Sequence, residues 1–165
     1  MKTIYLIRHA KSDWSEAGLS DFDRGLNKRG KKDLPFMASR LKKYGIKPDL
    51  ILSSPAIRAK TTAKEIADMI GYKKENISFE KSLYDSSYTT YRYLLDSLDD
   101  KTDSIFIVAH NPTLTDVAEV LSGAIIGNMP TCSIVCMEFD VKSFKEIKEG
   151  SGKILFFDYP KKHKL

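Results

Sequence analysis

The sequence alternates between short apolar segments and longer amphipathic segments, and this alternation constrains the fold more than any other feature. The predicted strands are 3–8, 49–53, 104–109, 133–139 and 153–158, with a weaker candidate near 77–80. Between them, apolar residues recur at i, i+3, i+4 and i+7, which predicts helices over 28–43, 55–70, 88–98 and 114–121. This order predicts a three-layer α/β/α domain with a mostly parallel central sheet.

Four residues suggest where the first two helices begin and end. Pro35 lies inside the first predicted helix, so we expect a kink or a late start there. Ser54 and Pro55 are suited to the N-cap and the first position of the second helix. Gly71 is placed to end that second helix.

The length and the overall charge limit the classes of function. A chain of 165 residues suits one domain with a full core, which we expect to span 1–165. No apolar run approaches membrane-spanning length and no secretion leader precedes the first strand, which favours the cytoplasm. The net charge of +5 hints at anionic partners, but we find no nucleic-acid-binding motif and expect no nucleic acid or membrane partner.

The two cysteines do not indicate a disulfide framework or a zinc site. Cys132 and Cys136 lie four residues apart in an apparent strand, which would place them on the same face. Two cysteines alone make no disulfide framework, and no cluster of histidines accompanies them. We interpret both as small buried residues.

Cationic or imidazole side chains follow three separate predicted strands. Arg8 and His9 follow the first strand, Arg58 falls in the first turn of the helix after the second, and His110 follows the strand at 104–109. Each of them alone is explained as a surface, core or turn residue. Together they would gather at the carboxyl edge of a parallel sheet, where helix N-termini also point. Such an edge suits a phosphate dianion.

These residue types narrow the chemistry at that edge. Arginine gives a two-point contact to phosphate oxygens and keeps its proton, so two of them would offset charge in the transition state. One neutral histidine can attack phosphorus, and a second, charged histidine can act as a further clamp. We expect no metal or other cofactor, because the chain has no Walker-type loop and no paired-carboxylate cluster for magnesium.

Three segments resemble the signatures of the histidine phosphatase superfamily, which has the phosphoglycerate mutase-like fold. They are "LIRHAKS", "SSPAIRAKTTA" and "VAHNP", and they occur in the family's order. A fourth, "DFDRGLNKRGKKD", is similar to a segment of the short, SixA-type phosphohistidine phosphatases. The resemblance implies that His9 is the nucleophile and that Arg8, Arg58 and His110 bind the phosphoryl group.

The resemblance also suggests lesser roles for other residues. Ser12, Arg24 and Asn111 are expected to help bind substrate. Ala10 replaces the glycine of the family's first signature, and Gly25 replaces a common proline; we expect the first change to be tolerated.

The general acid is left open by the sequence. Asp85 follows a leucine by two residues, the family's spacing for this acid, although the family more often has glutamate there. The alternative is that Asp85 belongs to a helix cap formed with the two serines that follow it.

The short chain favours a substrate presented on a protein surface. The segments between the motifs are only long enough for loops and single helices, and the longest irregular stretch near the site is 11–26. An uncovered pocket suits phosphohistidine on a protein such as a histidine-phosphotransfer domain. The alternatives are a broad phosphatase for small phosphate esters and a non-enzymatic domain that binds phosphate or phosphoproteins.

Overall fold

The computed structural model describes residues 1–163, and a six-stranded sheet forms the centre of this part of the chain. The strand order is β3-β2-β4-β1-β5-β6. The strands are β1 (Lys2–Arg8), β2 (Leu50–Ser53), β3 (Ser78–Phe79), β4 (Ser104–Ala109), β5 (Ile134–Phe139) and β6 (Lys153–Asp158). The first four pair in parallel, whereas β5 and β6 are antiparallel to their neighbours. The prediction of a mostly parallel sheet is confirmed.

Helices cover both faces of the sheet, which confirms the three-layer prediction. They are α1 (Lys28–Lys43), α2 (Ile57–Ile70), α3 (Tyr88–Asp96) and α4 (Thr113–Ser122). The apolar faces of α1 and α2 pack in one buried cluster with one face of the sheet. Those of α3 and α4 pack in a second cluster on the other face. No helix within residues 1–163 is long and apolar enough to cross a bilayer.

The boundaries of the first two helices test the expectations from glycine and proline. Gly71 adopts a left-handed conformation with φ of 80° and ends α2, as predicted. Of the kink or late start expected at Pro35, the late start does not occur, since α1 begins at Lys28 and continues through Pro35. Asn27 caps this helix by accepting a hydrogen bond from the backbone N–H of Gly30. A proline removes one helical hydrogen bond, and the buried face of α1 offsets that loss.

The start of α2 differs from the prediction. Ala56 is at the N-cap, so Ser54 and Pro55 both precede the helix. The Ser54 hydroxyl oxygen accepts a hydrogen bond from the Ala56 N–H and also contacts His110 Nε2 at 2.7 Å. The Ser54 side chain therefore contacts His110, after β4, instead of capping α2. Arg58 remains in the first turn of α2, as expected.

Parallel pairing places the predicted residues at one edge of the sheet. Arg8 is opposite Ala109 in the β1–β4 register, so His9 and His110 leave adjacent strands side by side. Ser53 is opposite Val108 on the other side of β4, which brings the start of α2 to the same edge.

A positive-φ cysteine and a threonine fix the backbone around this edge. Cys132 has φ of 62°, and its N–H donates to the carbonyl oxygens of Arg8 and His9. It precedes β5, so the expectation that the two cysteines share a strand face is wrong, although both are buried. The Thr62 hydroxyl accepts from the Ala10 N–H and donates to the Arg58 carbonyl oxygen, which joins the segment after β1 to α2.

A close approach at Gly30 positions the segment that follows His9. A Cβ at Gly30 would lie 2.2 Å from the backbone oxygen of Lys11, far inside the distance that real contacts allow. The same oxygen accepts a hydrogen bond from the Asn27 N–H. The N-terminal turn of α1 therefore rests directly on the backbone beside the candidate site.

We expect Gly30→Ala to displace the Lys11 backbone, because a backbone atom cannot yield as a flexible side chain can. It should lower the free energy of unfolding by about 1–3 kcal/mol and reduce kcat/KM. Gly25→Ala is the matched control, since its Cβ would meet nothing within 4 Å. Urea unfolding and turnover of both variants test this, and equal behaviour of the two would contradict it.

Candidate active site

A cavity of about 510 Å³ opens at the carboxyl edge of the sheet. All eight residues that the sequence singled out line it, namely Arg8, His9, Ser12, Arg24, Arg58, Asp85, His110 and Asn111. Five residues without a role assigned from the sequence complete its wall: Lys11, Trp14, Asp21, Tyr84 and Thr131. The structure therefore brings the three crossovers and the segment before α1 together around one space.

His9 is held as a neutral imidazole with a defined tautomer. Its Nδ1 lies 2.8 Å from the carbonyl oxygen of Ala10, and a carbonyl can only accept, so Nδ1 carries the hydrogen. Burial lowers the pKa of His9 to about 3, an effect reinforced by His110 and the arginines nearby. In the neutral ring Nε2 therefore keeps its lone pair, which is the state that a nucleophile requires.

His110 is also neutral at pH 7, and the expectation of a charged second histidine applies to the ring beside a phosphate dianion. Burial, followed by the charge of Arg58, lowers its pKa to about 4. Its ring centroid lies 5.1 Å from that of His9. Nδ1 is buried and has no hydrogen-bond partner among the described residues. A phosphate dianion beside the ring would favour its protonation.

Arg8 lines the cavity and keeps a hydrogen-bond donor unpaired within the described residues. Its Nη1 donates to the carbonyl oxygen of Met129 at 2.9 Å, which fixes the side chain. Its Nε is buried and has no partner in the described part of the chain. Burial and the charge of Arg58 lower the pKa of Arg8, and each arginine therefore favours an anion between them.

Asp21, which the sequence analysis did not single out, contacts two of the predicted arginines. Arg58 Nη1 donates to the Asp21 backbone oxygen at 2.7 Å, and Arg58 Nη2 to Asp21 Oδ2 at 3.0 Å. Arg24 Nη2 donates to Asp21 Oδ1 at 2.6 Å, while Arg24 Nη1 donates to the Ser12 hydroxyl at 2.7 Å. The Tyr84 hydroxyl donates to Asp21 Oδ2 at 2.7 Å. Hydrogen bonds from Arg24, Tyr84 and Arg58 hold the pKa of Asp21 well below its usual range.

Aromatic side chains form the outer wall of the cavity. The Arg24 guanidinium lies 3.3 Å from the ring centroid of Trp14, and the indole is 72% exposed. Tyr84 packs edge-on against Phe22 and His110, with centroid distances of 5.1 and 5.6 Å. The arginines thus lie beneath an aromatic, solvent-facing mouth.

Asp85 and Asn111 occupy different kinds of position. Asp85 is exposed at the cavity wall and does not cap α3, because Ser87 takes the N-cap and its backbone N–H bonds to the Thr90 hydroxyl. The predicted cap is thus formed by Ser87, the second of the two serines that follow Asp85, and Asp85 itself takes no part in it. The Asn111 amide nitrogen donates to the Met129 carbonyl oxygen at 2.9 Å, so this side chain braces the loop that also holds Arg8.

Comparisons with known proteins identify a family and several relatives that this chain resembles. The sequence profile of the histidine phosphatase superfamily (branch 1) matches residues 4–101. The chain is similar to an uncharacterised chloroplast protein of Arabidopsis thaliana, with 31% identity over 159 residues, covering 92% of this chain and 72% of that protein. It is also similar to the mitochondrial serine/threonine-protein phosphatase Pgam5 of Drosophila ananassae, with 36% identity over 74 residues, which is 45% of this chain but only 25% of that protein.

A solved structure agrees over nearly the whole chain. A candidate phosphohistidine phosphatase SixA from Agrobacterium tumefaciens superimposes with a TM-score of 0.82 and 28% sequence identity, covering 96% of this chain and 98% of that one. The fold is thus the phosphoglycerate mutase-like fold that the sequence motifs implied. On the profile match, the identity to its relatives and this structural agreement, the chain belongs to the histidine phosphatase superfamily and is of the SixA type.

Proposed function

We propose that this chain is a phosphohistidine phosphatase that hydrolyses phosphohistidine on proteins through a covalent phosphoryl group on His9. The observation that carries the proposal is the fixed tautomer of His9, which leaves the Nε2 lone pair free on a residue that lines the same cavity as Arg8 and Arg58. A site that only bound phosphate would have no need for a neutral, buried imidazole beside its cations. This argues against the non-enzymatic alternative.

The reaction takes place in two displacements at phosphorus. First, Nε2 of His9 forms a bond to phosphorus while the bond from phosphorus to the substrate nitrogen breaks. The substrate imidazole leaves as a neutral ring when its other nitrogen is protonated. Water then forms a bond to phosphorus and the bond to His9 breaks, which releases inorganic phosphate and restores neutral His9. Arg8, Arg58 and His110 offset the charge on the phosphoryl oxygens throughout.

The arginines supply the charge stabilisation that other phosphatases obtain from metal ions. Arg8 and Arg58 are both largely shielded from solvent, where their electrostatic effect is stronger than in water. Within residues 1–163 no group of three histidine, cysteine or acidic side chains is arranged to hold a metal. We therefore propose that activity survives chelators.

Two features support phosphohistidine on a protein as the substrate. The cavity mouth is open, with Trp14 exposed at its wall, so a phosphoryl group on a protein surface can enter. The structural neighbour from Agrobacterium tumefaciens is itself described as a candidate phosphohistidine phosphatase.

A second candidate is hydrolysis of phosphate esters. Asp85 lies at the cavity wall, where a carboxyl group could protonate an alkoxide leaving group. The partial relative from Drosophila ananassae is named as a serine/threonine-protein phosphatase. The choice between the two candidates depends on whether Asp85 takes part in leaving-group departure.

We expect His9→Ala to reduce phosphatase turnover by at least about 10⁴-fold, because the covalent route is lost. Acid-labile phosphate should be trapped on His9 when the wild-type enzyme is quenched during turnover with phosphohistidine protein. His163→Ala is the matched control, since His163 is the remaining histidine and does not line the cavity. Full activity of His9→Ala would refute the mechanism.

The neutral state of His9 also predicts a pH-dependent stability. Its pKa is lowered on folding from 6.5 to about 3, so below pH 6.5 the unfolded chain binds a proton that the folded chain does not. Stability should therefore fall as the pH falls from 7 to 5, with His9 accounting for up to about 2 kcal/mol of that loss. Urea unfolding at pH 7 and pH 5 checks this. The wild type should lose more than His9→Ala, and equal losses would show that His9 has an ordinary pKa.

Asp85→Asn separates the two candidate functions. General acid catalysis is typically worth about 10²–10⁴-fold for a poor leaving group. An imidazole leaves more readily than an alkoxide, so we expect the variant to lose alkyl-ester turnover while keeping most phosphohistidine turnover. Parallel assays with phosphohistidine protein, a phosphoserine peptide and an aryl phosphate measure this. An equal loss on all three substrates would mean that Asp85 does not act as a leaving-group acid.

A further inference from the structure

We propose that Asp21 is a displaceable internal ligand of the phosphoryl subsite, and that its carboxylate sets the affinity of the site for anions. It occupies donors of Arg58 and Arg24, so an incoming phosphoryl group must take these donors from it. The inference rests on the proposed function, in which Arg58 binds the phosphoryl group and Arg24 helps to bind the substrate. It adds Asp21, which the proposed mechanism does not use, to the residues that control phosphate binding.

The Asp21 carboxylate accepts hydrogen bonds from both Arg58 and Arg24. Arg58 Nη2 donates to the Asp21 carboxylate at 3.0 Å, whereas Arg58 Nη1 donates to the backbone carbonyl oxygen of the same residue at 2.7 Å. Asp21 therefore takes both of the donors with which arginine makes a two-point contact to a phosphate, one through its carboxylate and one through its backbone. Arg24 reaches the other carboxylate oxygen at 2.6 Å. A phosphoryl group that took both donors of Arg58 would have to replace the Asp21 carboxylate at Nη2 and the Asp21 backbone carbonyl at Nη1.

The charge balance of the cavity agrees with this. Arg8, Lys11, Arg24 and Arg58 line it, whereas His9 and His110 are neutral at pH 7, with pKa values near 3 and 4. The carboxylates in the wall are Asp21 and Asp85. Asp85 is exposed and forms no ion pair with the arginines among the described residues, so Asp21 is the wall carboxylate that balances the charges of Arg58 and Arg24.

The carboxylate is better placed to move than the arginines. The Asp21 side chain is 47% exposed, and it belongs to a three-residue 3₁₀ turn, Asp21–Asp23, that contributes no buried residue to the core. Arg58 and Arg24 are only 7% and 6% exposed. Tyr84, whose hydroxyl holds Asp21 Oδ2, is the further contact that has to break when the carboxylate leaves.

A displacement mechanism has a quantitative signature. The cost of releasing Asp21 is the same whichever anion enters, so removing its charge should strengthen the binding of every anion by the same factor. If Asp21 instead stayed in place and only repelled the ligand electrostatically, removing its charge would raise the affinity for a dianion more than the affinity for a monoanion. The reason is that the repulsion scales with the ligand's charge. The two mechanisms are therefore separable by comparing ligands of different charge.

The test is a titration of the folded enzyme with inorganic phosphate at pH 8 and with dimethyl phosphate, a monoanion. Calorimetry measures the affinities, and Trp14, the single tryptophan, reports on its Arg24 contact through fluorescence. The variants are Asp21→Asn and, as a matched control, Asp23→Asn. Asp23 is exposed in the same turn and accepts from the Ser20 hydroxyl, with no ion pair to either arginine among the described residues.

We expect Asp21→Asn to bind both ligands about tenfold more tightly, since a charge-assisted hydrogen bond is about twice as strong as a neutral one. Tyr84→Phe, which removes one contact to Asp21 and leaves both arginines, should give a smaller gain in the same direction. Asp23→Asn should match the wild type. Unchanged or weaker phosphate binding by Asp21→Asn, in a variant that unfolds like the wild type, would overturn the proposal and assign Asp21 to orienting the arginines.

If Asp21→Asn raised the affinity for phosphate more than the affinity for dimethyl phosphate, displacement would also be overturned. Asp21 would then stay in place and act on the ligand only by electrostatic repulsion. The proposed function is tested separately by the phosphoryl group trapped on His9. A wild type that binds phosphate and is phosphorylated, without a gain in Asp21→Asn, would refute only the role of Asp21. A chain that neither binds phosphate nor is phosphorylated would refute both.

Discussion

The parallel pairing of β1 with β4 is the constraint on which the rest of the site depends. The register that sets Arg8 opposite Ala109 forces His9 and His110 to leave the sheet as neighbours. Their rings then share one buried space, 5.1 Å apart, and burial keeps both of them uncharged. The chemistry of the site thus follows from a backbone arrangement, because two charged imidazoles at this distance would repel each other.

The sequence predicted the architecture well, because it depends on periodicity and on local conformational preferences. The alternation of strands and helices predicted the layers, and Gly71 was correctly expected to end α2. The errors arose where a tertiary contact overrode a local preference. Ser54 does not cap α2 because its hydroxyl is used by His110, and α1 runs through Pro35 because its capped start and buried face hold it.

The set of residues in the cavity was also predictable, but their contacts were not. A motif shows that Arg58 and Arg24 belong together, since each has a fixed position along the chain. It does not show that a carboxylate lies between them, because that depends on how a turn folds back over α2. Asp21, three residues before Arg24, was visible in the sequence as an acid beside a base, a pairing that usually reflects only surface charge. Its four hydrogen bonds at the arginines and Tyr84 emerge only in three dimensions.

The hydroxyl of Thr62 links two parts of the site that come from distant stretches of sequence. It accepts from the backbone of Ala10, the neighbour of His9, and donates to the backbone of Arg58. One buried side chain therefore links the backbone beside the nucleophile His9 to the backbone of Arg58, which binds the phosphoryl group. A displacement of about 1 Å between reacting groups can slow a reaction strongly, so the hydrogen bonds of Thr62 help to keep His9 and Arg58 at the separation that phosphoryl transfer needs. A part of the molecule that never meets the substrate thereby defines the distance across which the reaction has to occur.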